Sequence, residues 1–260
     1  MILEEILPPL AVETRGSVAV LRLSRPAKRN ALDTATILEL ERFFAVPPEG
    51  VGAIVLAAEG AHFCAGLDLS DLTERSTWES VLHSRMWHRA FDRIENGTLP
   101  VVAALHGAVI GGGLELAAAA HIRVAEESAY YALPEGQRGL FVGGGGSVRV
   151  PRLIGAHRMT DLMLTGRVYD AVEGQAAGLS HYLVGPGEAL DKAVELAERI
   201  AGNAPVSNFA VLSALPRIAE ADPRQGYLLE SLMSAVAAGG EDAQQRMRAF
   251  LEGRAGKVTR

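Results

Sequence analysis

Leu99-Pro100-Val101-Val102-Ala103-Ala104-Leu105-His106-Gly107-Ala108-Val109-Ile110-Gly111-Gly112-Gly113-Leu114-Glu115, continuing to Ala120, is the longest apolar run of the chain. Its length would suit a membrane-spanning helix, and Gly107 and Gly111 have the small-xxx-small spacing of helix pairs in lipid. Pro100, His106, Glu115 and three consecutive glycines argue against that reading. They divide the run into a strand over Val101–Leu105, a turn, and a helix that opens at Gly111. A glycine-rich helix start offers free backbone N–H groups and the positive end of the helix dipole to an oxyanion. One turn further on, Glu115 adds a carboxylate. A second carboxylate, Glu135, follows the apolar run Ala129–Leu133 in Leu133-Pro134-Glu135-Gly136. Two carboxylates close together can hold one water and move its protons, so the pattern points to an enzyme acting on a polarised carbonyl.

Outward from this run, strands alternate with helices. Val18 to Leu23 is β-branched and apolar and ends before Pro26. Asp33 is a candidate cap for a helix with Ile37, Leu40 and Phe44 on one face. Ala53 to Ala57 is a short buried strand. Trp87, Ala90, Phe91 and Ile94 recur at helical spacing, and Gly97 stops that helix. His121 to Ala125 and Ala129 to Leu133 are further short strands. The alternation predicts an α/β layer fold. After Val184 no strong strand follows, and Leu190, Val194 and Ala197, then Leu228, Leu232 and Val236, then Met247, Phe250 and Leu251 form helical stripes. The expected organisation is a core over residues 1–200 and a helical region over 201–260, with the break near Gly202-Asn203-Ala204-Pro205.

Composition narrows the function. A hydrophobic content of 48% over 260 residues supports a sizeable core. The formal charge of −6 disfavours a nucleic-acid partner. The lone Cys64 excludes an internal disulfide framework, fits a reducing compartment and reads as a small buried filler. Met1-Ile2-Leu3-Glu4-Glu5 lacks the basic start of a secretory signal, so a cytoplasmic location is expected. The seven histidines carry no metal-ligand spacing, so no metal is expected. Neither Gly111-Gly112-Gly113 nor Gly143 to Gly146 has the spacing of a dinucleotide fingerprint or a following phosphate-binding lysine.

Three segments in order resemble the crotonase (enoyl-CoA hydratase/isomerase) superfamily: Arg25-Pro26 with Asn30-Ala31-Leu32, Phe63-Cys64-Ala65-Gly66-Leu67-Asp68-Leu69, and His106 to Glu115. The resemblance covers nearly the whole chain. It implies a spiral of ββα units with a helical C-terminal oligomerisation region, assembled as a homo-oligomer, a trimer or a dimer of trimers. It also implies that the N–H groups of Leu67 and Gly112 form an oxyanion hole for an acyl-CoA thioester. Glu115 and Glu135 match the two hydratase glutamates, Glu115 helping to activate water and Glu135 exchanging a proton at C2. Substrate and coenzyme A contacts are implied at Ala27, Arg29, Ala65, Asp68, Leu69, Gly111 and Phe250. Coenzyme A enters as part of the substrate, and no separate cofactor is expected. The family's usual C-terminal lysine position holds Gly253, with Arg254 beside it.

Gly66 to Arg75, Tyr130 to Gly136 and Phe141 to Arg149 further resemble methylthioacryloyl-CoA hydratases. That narrower likeness implies hydration of a short 3-methylthio enoyl-CoA, followed by thioester hydrolysis that releases methanethiol, in breakdown of dimethylsulfoniopropionate-derived compounds. The expected activity is hydration of a short-chain 2-enoyl-CoA to a 3-hydroxyacyl-CoA. Isomerase or acyl-CoA hydrolase chemistry is the alternative, and an RNA-binding homologue is a disfavoured non-enzymatic one.

Overall fold

The computed structural model describes residues 9–71 and 74–254. The N-terminal segment Met1 to Glu5 and the residues Leu72 and Thr73 of the Gly66–Arg75 stretch lie outside the described residues. The strands are β1 (Leu10–Arg15), β2 (Val18–Leu23), β3 (Ala53–Ala58), β4 (Val101–Leu105), β5 (Ala108–Ile110), β6 (Ile122–Glu126), β7 (Tyr130–Ala132) and β8 (Tyr182–Val184). Seven helices accompany them: α1 (Thr34–Ala45), α2 (Thr77–Glu95), α3 (Gly112–Ala119), α4 (Gly146–Ile154), α5 (Ala156–Thr165), α6 (Ala171–Ala177) and α7 (Ala189–Ala201). Helices α8 (Pro205–Ser213), α9 (Leu215–Glu220), α10 (Pro223–Gly239) and α11 (Glu241–Leu251) follow without further strands among the described residues.

The main sheet has the order β1-β2-β3-β4-β6-β8, parallel except for the β1–β2 hairpin. Strands β2, β3 and β4 are buried on both faces, which is why they read as unbroken apolar runs rather than alternating ones. A second, two-stranded parallel sheet pairs β5 with β7. Two isolated parallel bridges extend it, Cys64 with Val109 and Leu32 with Leu67. The chain thus winds as a spiral. Each turn places one segment in the main sheet, one beside the small sheet, and then a helix: β3, Cys64, α2; β4, β5, α3; β6, β7, α4. This is the α/β architecture expected from the sequence. The strand β5 was not: Ala108–Ile110 was read only as a turn.

Helix α1 starts where the sequence places it, because the Asp33 carboxylate accepts from the Thr36 N–H at 2.8 Å. Helix α2 begins in a capping box of Ser76 and Glu79 and buries Trp87, Ala90, Phe91 and Ile94. Helix α7 packs on the main sheet through Ala193, Val194, Leu196 and Ala197, covering the face opposite α1 to α3. No helix among the described residues is long and apolar enough to cross a membrane.

Candidate active site

The pinning of Leu67 begins at Asn30, buried and held at φ +54°. Its side-chain amide donates to the carbonyls of Glu59 and His62 at 2.8 Å, and its Oδ1 accepts from the Arg25 N–H. The turn that follows brings Leu32 against the loop after β3. There the Leu32 N–H donates to Gly66 O (2.8 Å) and the Asp68 N–H to Leu32 O (2.9 Å). Both neighbours of Leu67 are thereby fixed, while the Leu67 N–H itself has no backbone acceptor among the described residues. Gly66 takes φ +93°, and a Cβ there would stand 2.8 Å from Ile110 O and 3.3 Å from Gly112 N.

Gly112 is the first residue of α3, so its N–H is one of the donors a helix leaves free. A Cβ on Gly112 would lie 3.6 Å from Leu67 N and 2.7 Å from Cζ3 of Trp87. The two free amides are therefore neighbours, with the Trp87 indole packed against the glycine. Gly113 is needed for the same close approach, since a Cβ there would collide with Cys64 O. Cys64 is fully buried, its thiol pushed up to about 12 by desolvation, so it is packing and not a nucleophile.

Glu115 is 3% exposed. Its Oε1 accepts from the N–H groups of Gly144 (2.8 Å) and Gly146 (2.7 Å). Burial raises its pKa, and the amides of Gly146 and Gly144 with the Arg149 charge pull the other way. Glu135 follows β7, and its Oε1 would stand 2.7 Å from a Cβ on Gly111, which takes φ +54°. Burial pushes the Glu135 carboxyl up to about 7, with the Glu115 charge adding to the rise. Among the described residues its Oε2 is buried without a partner, as are Nε2 of His83 and Nε1 of Trp87.

Both glutamates, Leu67, Gly111, Gly112, Ala65 and Leu69 line one cavity of about 730 Å³. His83, Ser84, Trp87, His88, Arg138, Phe141 and the Gly143–Gly144 segment complete much of its wall. Ala27 and Arg29 are outside the lining, in the exposed turn whose Arg29 O accepts from the Ala65 N–H at 3.0 Å. Asp68 is also outside it. Its carboxylate is engaged by Arg25 (2.7 Å) and by Ser70, whose hydroxyl and N–H hold it down at about 2. That side chain ties the loop after Leu67 to Arg25. Phe250 is 67% exposed on α11 and does not line the cavity.

Three features of the site had no signature in the sequence. The run Gly143 to Gly146, without dinucleotide spacing, supplies the amides that grip Glu115. Trp87, one member of an ordinary apolar stripe, packs against Gly112. His83 and His88, classed with scattered histidines, stand in the cavity wall.

The sequence profile of the enoyl-CoA hydratase/isomerase family matches residues 13–259. The chain belongs to this family. An enoyl-CoA hydratase of Mycobacterium tuberculosis is 32% identical over 253 residues, covering 95% of each chain. A short-chain-enoyl-CoA hydratase of Clostridium acetobutylicum is 32% identical, covering 94% of each. Among solved structures, an enoyl-CoA hydratase from Bacillus anthracis superposes with a TM-score of 0.89 at 29% identity, over 96% of this chain and 98% of that one. A Rhodopseudomonas palustris protein provisionally named an enoyl-CoA hydratase superposes with a TM-score of 0.93 at 58% identity, over 96% and 97%. Enoyl-CoA hydratase/isomerase family members of this kind share the mixed α/β architecture described above.

Proposed function

We propose that the protein adds water to the double bond of a short-chain 2-enoyl-CoA. The observation that carries this reading is the meeting of two free amides and two buried carboxylates in one cavity. The thioester oxygen accepts from the Leu67 and Gly112 N–H groups, which stabilise the enolate as it forms. Glu115, ionised and gripped through Oε1, holds a water by its other oxygen and takes its proton as the water oxygen bonds to C3. Glu135, protonated, delivers a proton to C2. Atoms and charge balance: one water is consumed and the two carboxyls exchange protonation states, to be reset through solvent.

The raised Glu135 pKa suits an acid that must still carry its proton near neutrality, while the Gly146 and Gly144 amides and the Arg149 charge oppose the rise that burial imposes on Glu115. Hydration kcat/KM is therefore expected to fall as pH rises through about 7, where Glu135 ionises. It falls again as the pH drops and Glu115 protonates, a limb that burial moves up from the ordinary carboxylate range. A mass-resolved assay with crotonyl-CoA across pH tests both statements: a gain of one water with that descending limb supports the reading. Release of free coenzyme A without a 3-hydroxyacyl-CoA would replace it by hydrolysis, and a shifted double bond without water by isomerisation. Methylthioacryloyl-CoA is the narrower substrate proposed from the sequence likeness, with methanethiol release by subsequent thioester hydrolysis as its readout. Absence of methanethiol while crotonyl-CoA is hydrated would remove that narrower assignment alone.

Assembly as a trimer or dimer of trimers belongs to the same proposal. Leu228, Leu232 and Val236 on α10 and Met247, Phe250 and Leu251 on α11 are all exposed on the single chain. Apolar stripes of this size are characteristic of surfaces covered by a partner. Light scattering should give three or six chain masses, and a monomer at assay concentration would exclude the assembly.

A further inference from the structure

Arg149 sits one turn into α4 with its side chain 9% exposed, and it is not among the residues that line the cavity. Its Nε donates to Oε2 of Glu95, the last residue of α2, at 2.7 Å. Its Nη1 donates to the carbonyl of Gly144 at 3.1 Å. That carbonyl belongs to the peptide between Gly144 and Gly145. The peptides on either side of it carry the two N–H groups that bind Glu115. Gly145 takes φ +99°, and a Cβ on it would collide with Nη1 of Arg149, so the guanidinium fills the space under the turn.

We propose that Arg149 is a positioning residue for water addition. Anchored by Glu95, it fixes the central peptide of the Gly144–Gly146 turn, and through that turn it holds Oε1 of Glu115 and leaves Oε2 to the water. This rests on the hydratase reading and names a further residue for it. The device answers a physical problem. A tight glycine turn has many accessible backbone states, and a buried carboxylate held only by such a turn would not keep one geometry. A bidentate cation between two oxygens of known position removes that freedom. Its charge also opposes the desolvation of Glu115. The other titratable groups facing this assembly are Glu135 across the cavity, raised by burial and further by the Glu115 charge, and His88 on α2, lowered by burial and then by Arg149. His121 Nε2 lies 3.1 Å from the backbone carbonyl of Glu95, an oxygen distinct from the carboxylate that Arg149 binds.

The test combines Arg149→Gln, Arg149→Lys and Glu95→Gln. The Glu115 carboxyl is titrated by carbon NMR, with Glu115→Gln to assign it, and hydration kinetics and affinity for saturated butyryl-CoA are measured beside it. In Arg149→Gln the Glu115 titration should move up by about one pH unit. The kcat should fall by about 10²-fold, as for a misplaced reacting group, with butyryl-CoA affinity within about twofold of wild type on the same geometric argument. Arg149→Lys should restore the titration more than the rate, because it keeps the charge and loses the fork. Glu95→Gln, at a partly exposed carboxylate, should shift kcat in the same direction by less.

A folded Arg149→Gln protein with lowered melting temperature but unchanged Glu115 titration and kcat would overturn the proposal. Should that variant not fold, an unchanged kcat in Glu95→Gln overturns it equally. If wild type hydrates no enoyl-CoA, the hydratase reading fails, and the NMR titration still decides whether Arg149 governs Glu115.

Discussion

Glu135→Gln lowers kcat for crotonyl-CoA hydration by roughly 10²–10⁴-fold, the usual loss when a general acid is removed. The isosteric amide keeps the shape and neutrality of the protonated carboxyl, so affinity for a saturated acyl-CoA should change little. Exchange of the C2 hydrogens of butyryl-CoA with deuterated solvent should disappear with the rate. Stability should move the other way. The folded pKa of Glu135, about 7, lies above the ordinary glutamate value of 4.5. The stability this group contributes is therefore complete below about 4.5 and is lost as pH rises through about 7. The glutamine variant has no such loss, so its melting temperature should gain on wild type between those limits. A variant that is inactive and more stable at pH 8 than wild type separates lost chemistry from lost folding. An active Glu135→Gln enzyme would remove Glu135 from the mechanism.

Gly112→Pro is the second substitution with a large expected effect. Proline is tolerated at the first position of a helix, where the N–H it lacks has no helical acceptor. Gly111, which precedes it, has the backbone freedom that a following proline demands. The new ring also puts a Cβ 2.7 Å from Cζ3 of Trp87, so Gly112→Ala is the matched control: it brings the same Cβ and keeps the N–H. Relative to the alanine variant, the proline variant should lose a further 10²–10³-fold in kcat, about 3–4 kcal/mol of barrier, which is the value of one oxyanion donor. Equal rates in the two variants would show that crowding of Trp87, and not loss of the donor, accounts for the whole effect.

The legible parts of this molecule were those whose causes are local. The helix cap at Asp33, the α2 stripe from Trp87 to Ile94 and the opening of α3 at the glycine run each follow from residues within a few positions of one another. The positions of Glu115 and Glu135 were likewise visible, although the reason the two meet was not. Strand β5 escaped notice because three residues pairing with three others leave no periodicity, and its apolar side chains merge with those of β4. The work of Gly144 and Gly146 was hidden because their hydrogen bonds reach a carboxylate 29 and 31 residues earlier. Asp68 illustrates the converse. Its place next to Leu67 suggests contact with substrate, but Arg25, 43 residues away, already occupies it.

The three rungs that end in Cys64, Ile110 and Ala132 run side by side and in the same direction, and each is followed within three residues by a residue of the cavity wall: Leu67, Gly112 and Glu135. Their mutual spacing is thus inherited from strand pairing, whose pitch is near 4.8 Å in any sheet. The chain length between rungs plays no part in it. Insertions between one rung and the next, such as in the helices or in the loop from Glu59 to His62, leave that ruler untouched. A single residue added or removed within these overhangs of two or three residues does not. Evolution, or a designer, is therefore free to lengthen the excursions that shape the rest of the cavity while these three wall residues stay in step.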